Sequence, residues 1–152
     1  MKQIRIILVE DDSGHALLIM KNLRRSGISD EITVFDNGQS VLDFFNSLPD
    51  ERAHAEFVII LDLNLPVLDG HQVLKKLKSD HKTKSIPVII LTTTDVHQDI
   101  RISYELGCNI FITKPTQYDK FCITIQTLGM LLSIMEFPIL VETNSLGDNS
   151  RT

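Results

Sequence analysis

The sequence predicts an α/β fold: a doubly wound, five-stranded parallel sheet flanked by five helices, with a C-terminal extension. Three observations carry that expectation. Five short runs of Val, Ile, Leu and Phe recur along the chain. Each is followed by a stretch with helical apolar spacing. Each run also ends abruptly in polar residues, as strands do when they empty into a ligand-facing edge.

The elements follow in order. Ile4-Arg5-Ile6-Ile7-Leu8-Val9 is β-branched and stops at Glu10-Asp11-Asp12, a buried strand entering an acidic loop. Ala16, Leu17, Ile19, Met20 and Leu23 mark a helix over 14–25, with Gly27 as its stop. Glu31–Phe35 reads as a second strand and Asp36-Asn37-Gly38 as a turn. Val41, Leu42, Phe44, Phe45 and Leu48 form the next helical face, closed by Pro49. Residues 49–56 read as a loop. Phe57-Val58-Ile59-Ile60-Leu61, apolar at every position, predicts a central strand covered on both faces, ending at Asp62. Val73, Leu74 and Leu77 lie on a Lys-rich helix after Asp69-Gly70. Ile86–Leu91 is the fourth strand and runs into Thr92-Thr93-Thr94. Asp95 is the expected cap of a helix carrying Ile100, Ile102, Tyr104 and Leu106, with Gly107 ending it. Ile110–Thr113 is the fifth strand, ending at Lys114-Pro115, and a last helix is expected from Gln117 to Glu136, stopped by Pro138.

Composition narrows the function. The chain has 152 residues, 43% hydrophobic and 23% charged, which is globular composition for one domain. With 15 Lys plus Arg against 20 Asp plus Glu, the net charge is −5, the wrong sign for coating a nucleic acid. Neither a basic run for an anionic membrane nor an apolar stretch of spanning length is present, so no membrane partner is expected. Cys108 and Cys122 lack CxxC spacing and read as buried thiols in a reducing cytoplasm.

The chemistry collects at the strand ends: Glu10, Asp11 and Asp12, then Asp62, then Thr92, then Lys114. A parallel sheet brings these to one edge. Alone, Asp11 reads as a helix cap and Asp62 as a loop acid; together with a hydroxyl and a lysine they read as a site. Clustered carboxylates repel unless a cation neutralises them, and oxygen ligands without His or Cys favour Mg²⁺ over zinc.

At these motifs the chain resembles the receiver domain of two-component response regulators, a flavodoxin-like fold. The matching segments are Leu8–Asp12, Leu61–Gly70, Ile86–Thr93 and Phe111–Pro115. The resemblance implies that Asp62 accepts a phosphoryl group from a sensor histidine kinase. It implies Mg²⁺ held by Glu10, Asp11, Asp62 and the main-chain carbonyl of Asn64. Thr92 would hydrogen-bond a phosphoryl oxygen, Lys114 would pair with the phosphate, and a cis peptide before Pro115 would aim Lys114 inward. Thr92 would then switch together with an aromatic on the fifth strand, here Phe111, which reads equally as a core residue. Two rivals stay open: a Mg²⁺-dependent phosphohydrolase with Asp62 as nucleophile, and a receiver-like module used only for interaction.

The resemblance divides the chain into a receiver, 1–136, and an extension, 137–152, too short for an output domain, so the expected output is a protein contact. On the last helix Phe121, Ile125, Leu128, Leu132 and Met135 suit the sheet, while Ile123, Met130, Leu131 and Ile134 are left for another surface. These four with Phe137 are the expected homodimer interface. Ile139-Leu140-Val141 is read as an arm on a partner subunit and 143–152 as a mobile tail. Within the family, His15-Ala16-Leu17-Leu18, Thr92-Thr93-Thr94 and Ser103–Asn109 are similar to stand-alone regulators paired with phytochrome-type kinases.

Overall fold

The structure, a computed structural model, describes residues 4–49 and 56–138. The expected arm at Ile139–Val141, the tail beyond it and most of the loop at 49–56 lie outside the described residues.

Five strands, β1 (Ile4–Val9), β2 (Glu31–Phe35), β3 (Glu56–Leu61), β4 (Val88–Thr92) and β5 (Ile110–Thr113), form one parallel sheet in the order β2-β1-β3-β4-β5. The helices are α1 (Ser13–Arg25), α2 (Gly38–Ser47), α3 (Gly70–Ser79), α4 (His97–Glu105) and α5 (Tyr118–Ile134). Strand order reverses between β1 and β3, so their carboxyl ends flank the crevice where ligands bind in open sheets of this kind.

Strand alternation builds two cores. Ile6, Leu8, Val58, Ile60, Ile89 and Leu91 face one way and are covered by Ala16, Ile19 and Leu23 of α1 and Phe121, Ile125, Leu128 and Leu132 of α5. Ile7, Val9, Ile59, Leu61, Val88 and Ile90 face the other, under Val41 and Phe45 of α2 and Val73, Leu74 and Leu77 of α3. This is the doubly wound arrangement expected from the sequence.

α1 and α5 meet closely because Gly129 faces Ser26: an added Cβ there would lie 1.9 Å from Ser26 Oγ. Asn22 is fully buried on this seam; its amide donates to the Leu18 carbonyl and its oxygen accepts from Gln126 Nε2.

Several local expectations change. Asp12, not Asp11, caps α1, accepting from the His15 amide at 3.0 Å, which leaves Asp11 exposed and free of capping duty. α3 carries a full capping box between Asp69 and Gln72. Asp95 does not cap α4; the cap position is Val96, with no side-chain hydrogen bond, so α4 starts later and less firmly. Its expected stripe of Ile100, Ile102, Tyr104 and Leu106 is not a buried face, and Ser103 is its one buried residue. The peptide before Pro115 is trans. α5 ends at Ile134, and the extended chain after Met135 folds Phe137 into the core beside α1 and α5. The core therefore reaches past the expected boundary at 136. Phe137, 7% exposed, is covered by its own chain rather than offered to a second copy.

Candidate phosphoacceptor site at the carboxyl edge of the sheet

Three side chains of the site inherit their direction from strand alternation. Glu10 continues the row of Ile6 and Leu8, Asp62 the row of Val58 and Ile60, and Lys114 the row of Ile110 and Ile112. All three are buried and converge on the α1–α5 side. Lys114 is placed without a cis bond: its amide donates to the Thr92 carbonyl at 2.6 Å, extending the β4–β5 ladder by one residue, so its side chain turns inward as the next even position.

The Lys114 ammonium donates to Glu10 Oε2 at 2.7 Å and to Asp62 Oδ2 at 3.0 Å. One cation thus serves two buried carboxylates. Burial pushes Glu10 up, to about 7, against the opposing pull of Lys114. Burial pushes Asp62 the same way, but the Lys114 charge, the adjacent Thr92 hydroxyl and hydrogen bonds from Lys114 and the Asn64 amide hold it below its ordinary range. Asp62 is thus the carboxylate more readily kept ionised, and Glu10 the one whose charge burial resists.

Asp11 completes the cluster from the exposed side. Glu10, Asp11 and Asp62 each offer an oxygen, all within 4.8 Å of one another. An all-carboxylate, oxygen-only trio, exposed at one member and short of positive charge, fits a hard divalent ion such as Mg²⁺.

Thr92 is fully buried, and its hydroxyl lies beside the Asp62 carboxylate without a hydrogen-bond partner of sound geometry. A buried unpaired hydroxyl costs free energy, and it is satisfied when an acceptor arrives in front of it. Phe111 is half-buried against the α2–α3 core, behind Thr92 on β5. Below the site, Gly70 allows the β3–α3 turn to close: a Cβ there would lie 2.3 Å from the Asp62 carbonyl oxygen and 2.5 Å from Leu63 Cα. Val67, at the exposed tip of that turn, has φ +70°, a left-handed conformation costly for a β-branched side chain.

The structure thus brings together Glu10, Asp11, Asp62, Thr92 and Lys114, with Asn64 at its rim. It adds His15, noticed in the sequence only as part of a motif: His15 Nδ1 lies 3.1 Å from Lys114 Nζ. The proximity of α1 to the strand ends was the available signal, but a lone histidine on a helix does not announce its target.

A doubly wound sheet with an acidic crevice and an inward lysine at its carboxyl edge has the layout of a receiver domain. The sequence model of the response regulator receiver domain matches residues 6–126, and the chain belongs to that family. Among curated proteins, the response regulator Rcp1 of Synechocystis is 36% identical over 110 residues, covering 72% of this chain and 75% of Rcp1. A solved receiver domain from Rhodospirillum rubrum is 42% identical, with TM-score 0.86, covering 91% of this chain and all (100%) of that one. The phosphorylated cyanobacterial phytochrome response regulator RcpA is 33% identical, with TM-score 0.81, covering 90% and 99%. The Mn(2+)-bound form of Rcp1 is 31% identical, with TM-score 0.79, covering 89% and 99%.

Proposed function

We propose that this receiver accepts a phosphoryl group on Asp62 from the phosphohistidine of a sensor kinase, in a reaction that needs Mg²⁺. The observation that carries the reading is the buried Lys114 ammonium bridging Glu10 and Asp62 from different strand ends. An Asp62 carboxylate oxygen attacks phosphorus; the P–O bond forms as the donor's P–N bond breaks, and the electron pair leaves with the imidazole. Lys114 supplies positive charge beside the transferring oxygens, and the unpaired Thr92 hydroxyl is placed to donate to one of them. Glu10, Asp11, Asp62 and the main-chain carbonyl of Asn64 would hold Mg²⁺, which neutralises phosphoryl charge when bound. The Mn(2+)-bound form of Rcp1 supports the metal assignment.

Once phosphorylated, Asp62 carries new charge and strong acceptors. Thr92 moves toward them, and Phe111 repacks behind it by shape alone, having no hydroxyl to exchange partners.

The kinase is proposed to be of the phytochrome type, acting in the cytoplasm. The name of RcpA, a phytochrome response regulator, and the likeness to Rcp1 support this. A second copy is proposed to dock on α5. Ile123, Met130 and Ile134 are exposed at spacings that share one helix face, with Leu131 half-buried beside them.

Incubation with Mg²⁺ and a small phosphodonor should add one acid-stable, base-labile phosphoryl group by intact mass. Asp62→Asn should abolish it; full labelling of that variant would refute the assignment.

A further inference from the structure

We infer that His15 is a positioning residue for phosphotransfer, its Nδ1 accepting from the Lys114 ammonium and holding it on line while the carboxylates change partners. This rests on the reading of Asp62 as phosphoacceptor and deepens it. An ammonium has three donor hydrogens and no lone pair. In this site they meet three acceptors: Glu10 Oε2 at 2.7 Å, Asp62 Oδ2 at 3.0 Å and His15 Nδ1 at 3.1 Å. Because Lys114 can only donate, Nδ1 presents a lone pair, and the ring proton sits on Nε2.

The three acceptors are not equivalent. Glu10 and Asp62 belong to the oxygen trio that suits a divalent ion, and Asp62 is also the attacking group. Both redirect oxygens when an ion and a phosphoryl group arrive. His15 belongs to neither set, so its contact is the one left unchanged while Lys114 exchanges carboxylate for phosphoryl oxygen.

The ring is braced for this task. Its backbone amide is tied to the Asp12 cap at 3.0 Å, in the first turn of α1. Its face leans on Phe121 of α5, with ring centroids 5.8 Å apart at 36°. Phe121 is itself buried in the α1–α5 core. Lys114 thus has a long flexible stem, but its tip is referenced to two packed helices.

The test compares wild type, Asp62→Asn, His15→Phe and His15→Asn. The phenyl ring keeps the packing and removes the acceptor, whereas Asn Oδ1 can replace the Nδ1 lone pair. Each is phosphorylated with acetyl phosphate at saturating Mg²⁺, and Mg²⁺ affinity is measured separately by titrating amide resonances. The order of the Lys114 ammonium is read from its 15N relaxation. His15→Phe should react about tenfold more slowly, keep Mg²⁺ affinity within about twofold and show a disordered ammonium; His15→Asn should recover most of the rate. A His15→Phe protein that reacts at the wild-type rate overturns the inference, as does one whose rate loss is not relieved in His15→Asn. If wild type takes no label, the Asp62 reading fails and this inference with it; labelled wild type beside an unaffected His15→Phe removes this inference alone.

Discussion

Replacing Lys114 with Met removes the cation that two buried carboxylates share. Glu10 and Asp62 lie 2.7 and 3.0 Å from Nζ, with all three side chains at most 5% exposed. Breaking a buried ion pair by deleting one partner costs about 3–5 kcal/mol, because a charge is left uncompensated. The cost should depend on pH, and its sign follows from Glu10. Its folded pKa, about 7, lies above the ordinary 4.5, so its charge opposes folding as pH rises between those values. Without Lys114 the folded pKa rises further. At pH 8 the variant must either keep two carboxylates unpaired or bind a proton that the unfolded chain lacks, whereas at pH 5.5 Glu10 is protonated in both proteins and can donate to Asp62. Asp62, held low in the wild type, stabilises the fold above its ordinary range and loses that contribution only in more acid solution, outside this window. Urea unfolding of metal-free protein should therefore give a loss of about 3 kcal/mol at pH 8 that is about 1 kcal/mol smaller at pH 5.5. Mg²⁺ should restore more stability to the variant at pH 8 than to wild type. An equal loss at both pH values, or none, would refute the shared-cation argument.

Glu10→Gln should raise metal-free stability at pH 8 by about 1–3 kcal/mol, since it removes the charge that burial resists, while weakening Mg²⁺ binding; urea midpoints and a Mg²⁺ titration check both. Ile134→Glu or Met130→Glu should convert a dimer of the 17.2 kDa chain to monomer in sedimentation without lowering the unfolding midpoint, because both side chains are exposed in the protomer. Gly70→Ala forces a Cβ onto the backbone of Asp62 and Leu63, and should cost about 1–3 kcal/mol and slow labelling of Asp62. Cys108, buried and with its thiol pushed up to about 11 by burial, should resist a disulfide reagent at pH 8 until the protein unfolds.

The sheet was legible because its strands are nearly continuous β-branched runs with polar ends, a pattern few other elements produce. Glu10, Asp62, Thr92 and Lys114 were legible for a related reason: parallel topology turns strand ends into neighbours. What escaped depends on geometry across elements. Ser103 reads as a polar surface residue, yet it is the buried anchor of α4, while Ile100 and Ile102 are only partly covered. Phe137 follows the last helix, and nothing local says that the chain folds back. His15 stands in a recognisable motif, but its contact with Lys114 spans most of the sequence and depends on α1 crossing the strand ends. Lys114 continues the β4–β5 ladder and its bond to Pro115 is trans.

The thin anchoring of α4 bears on how readily the molecule can change state. The Ser103 hydroxyl donates to the Asp99 carbonyl at 2.7 Å, and His71 Nε2 of α3 reaches Ser103 Oγ at 3.0 Å and the Asp99 carbonyl at 3.3 Å. On β5, the Phe111 amide donates to the Tyr104 hydroxyl at 3.2 Å. Sliding this helix gives up the hydrogen bonds from His71 and to Tyr104, each worth about 1 kcal/mol net, while the Ser103–Asp99 bond moves with it. A ligand that prefers the moved helix by about a hundredfold supplies roughly 2.7 kcal/mol, enough to rebalance such an equilibrium. The remaining helices each bury several apolar side chains, so moving them costs more than such a preference supplies, and α4 is the helix held most lightly.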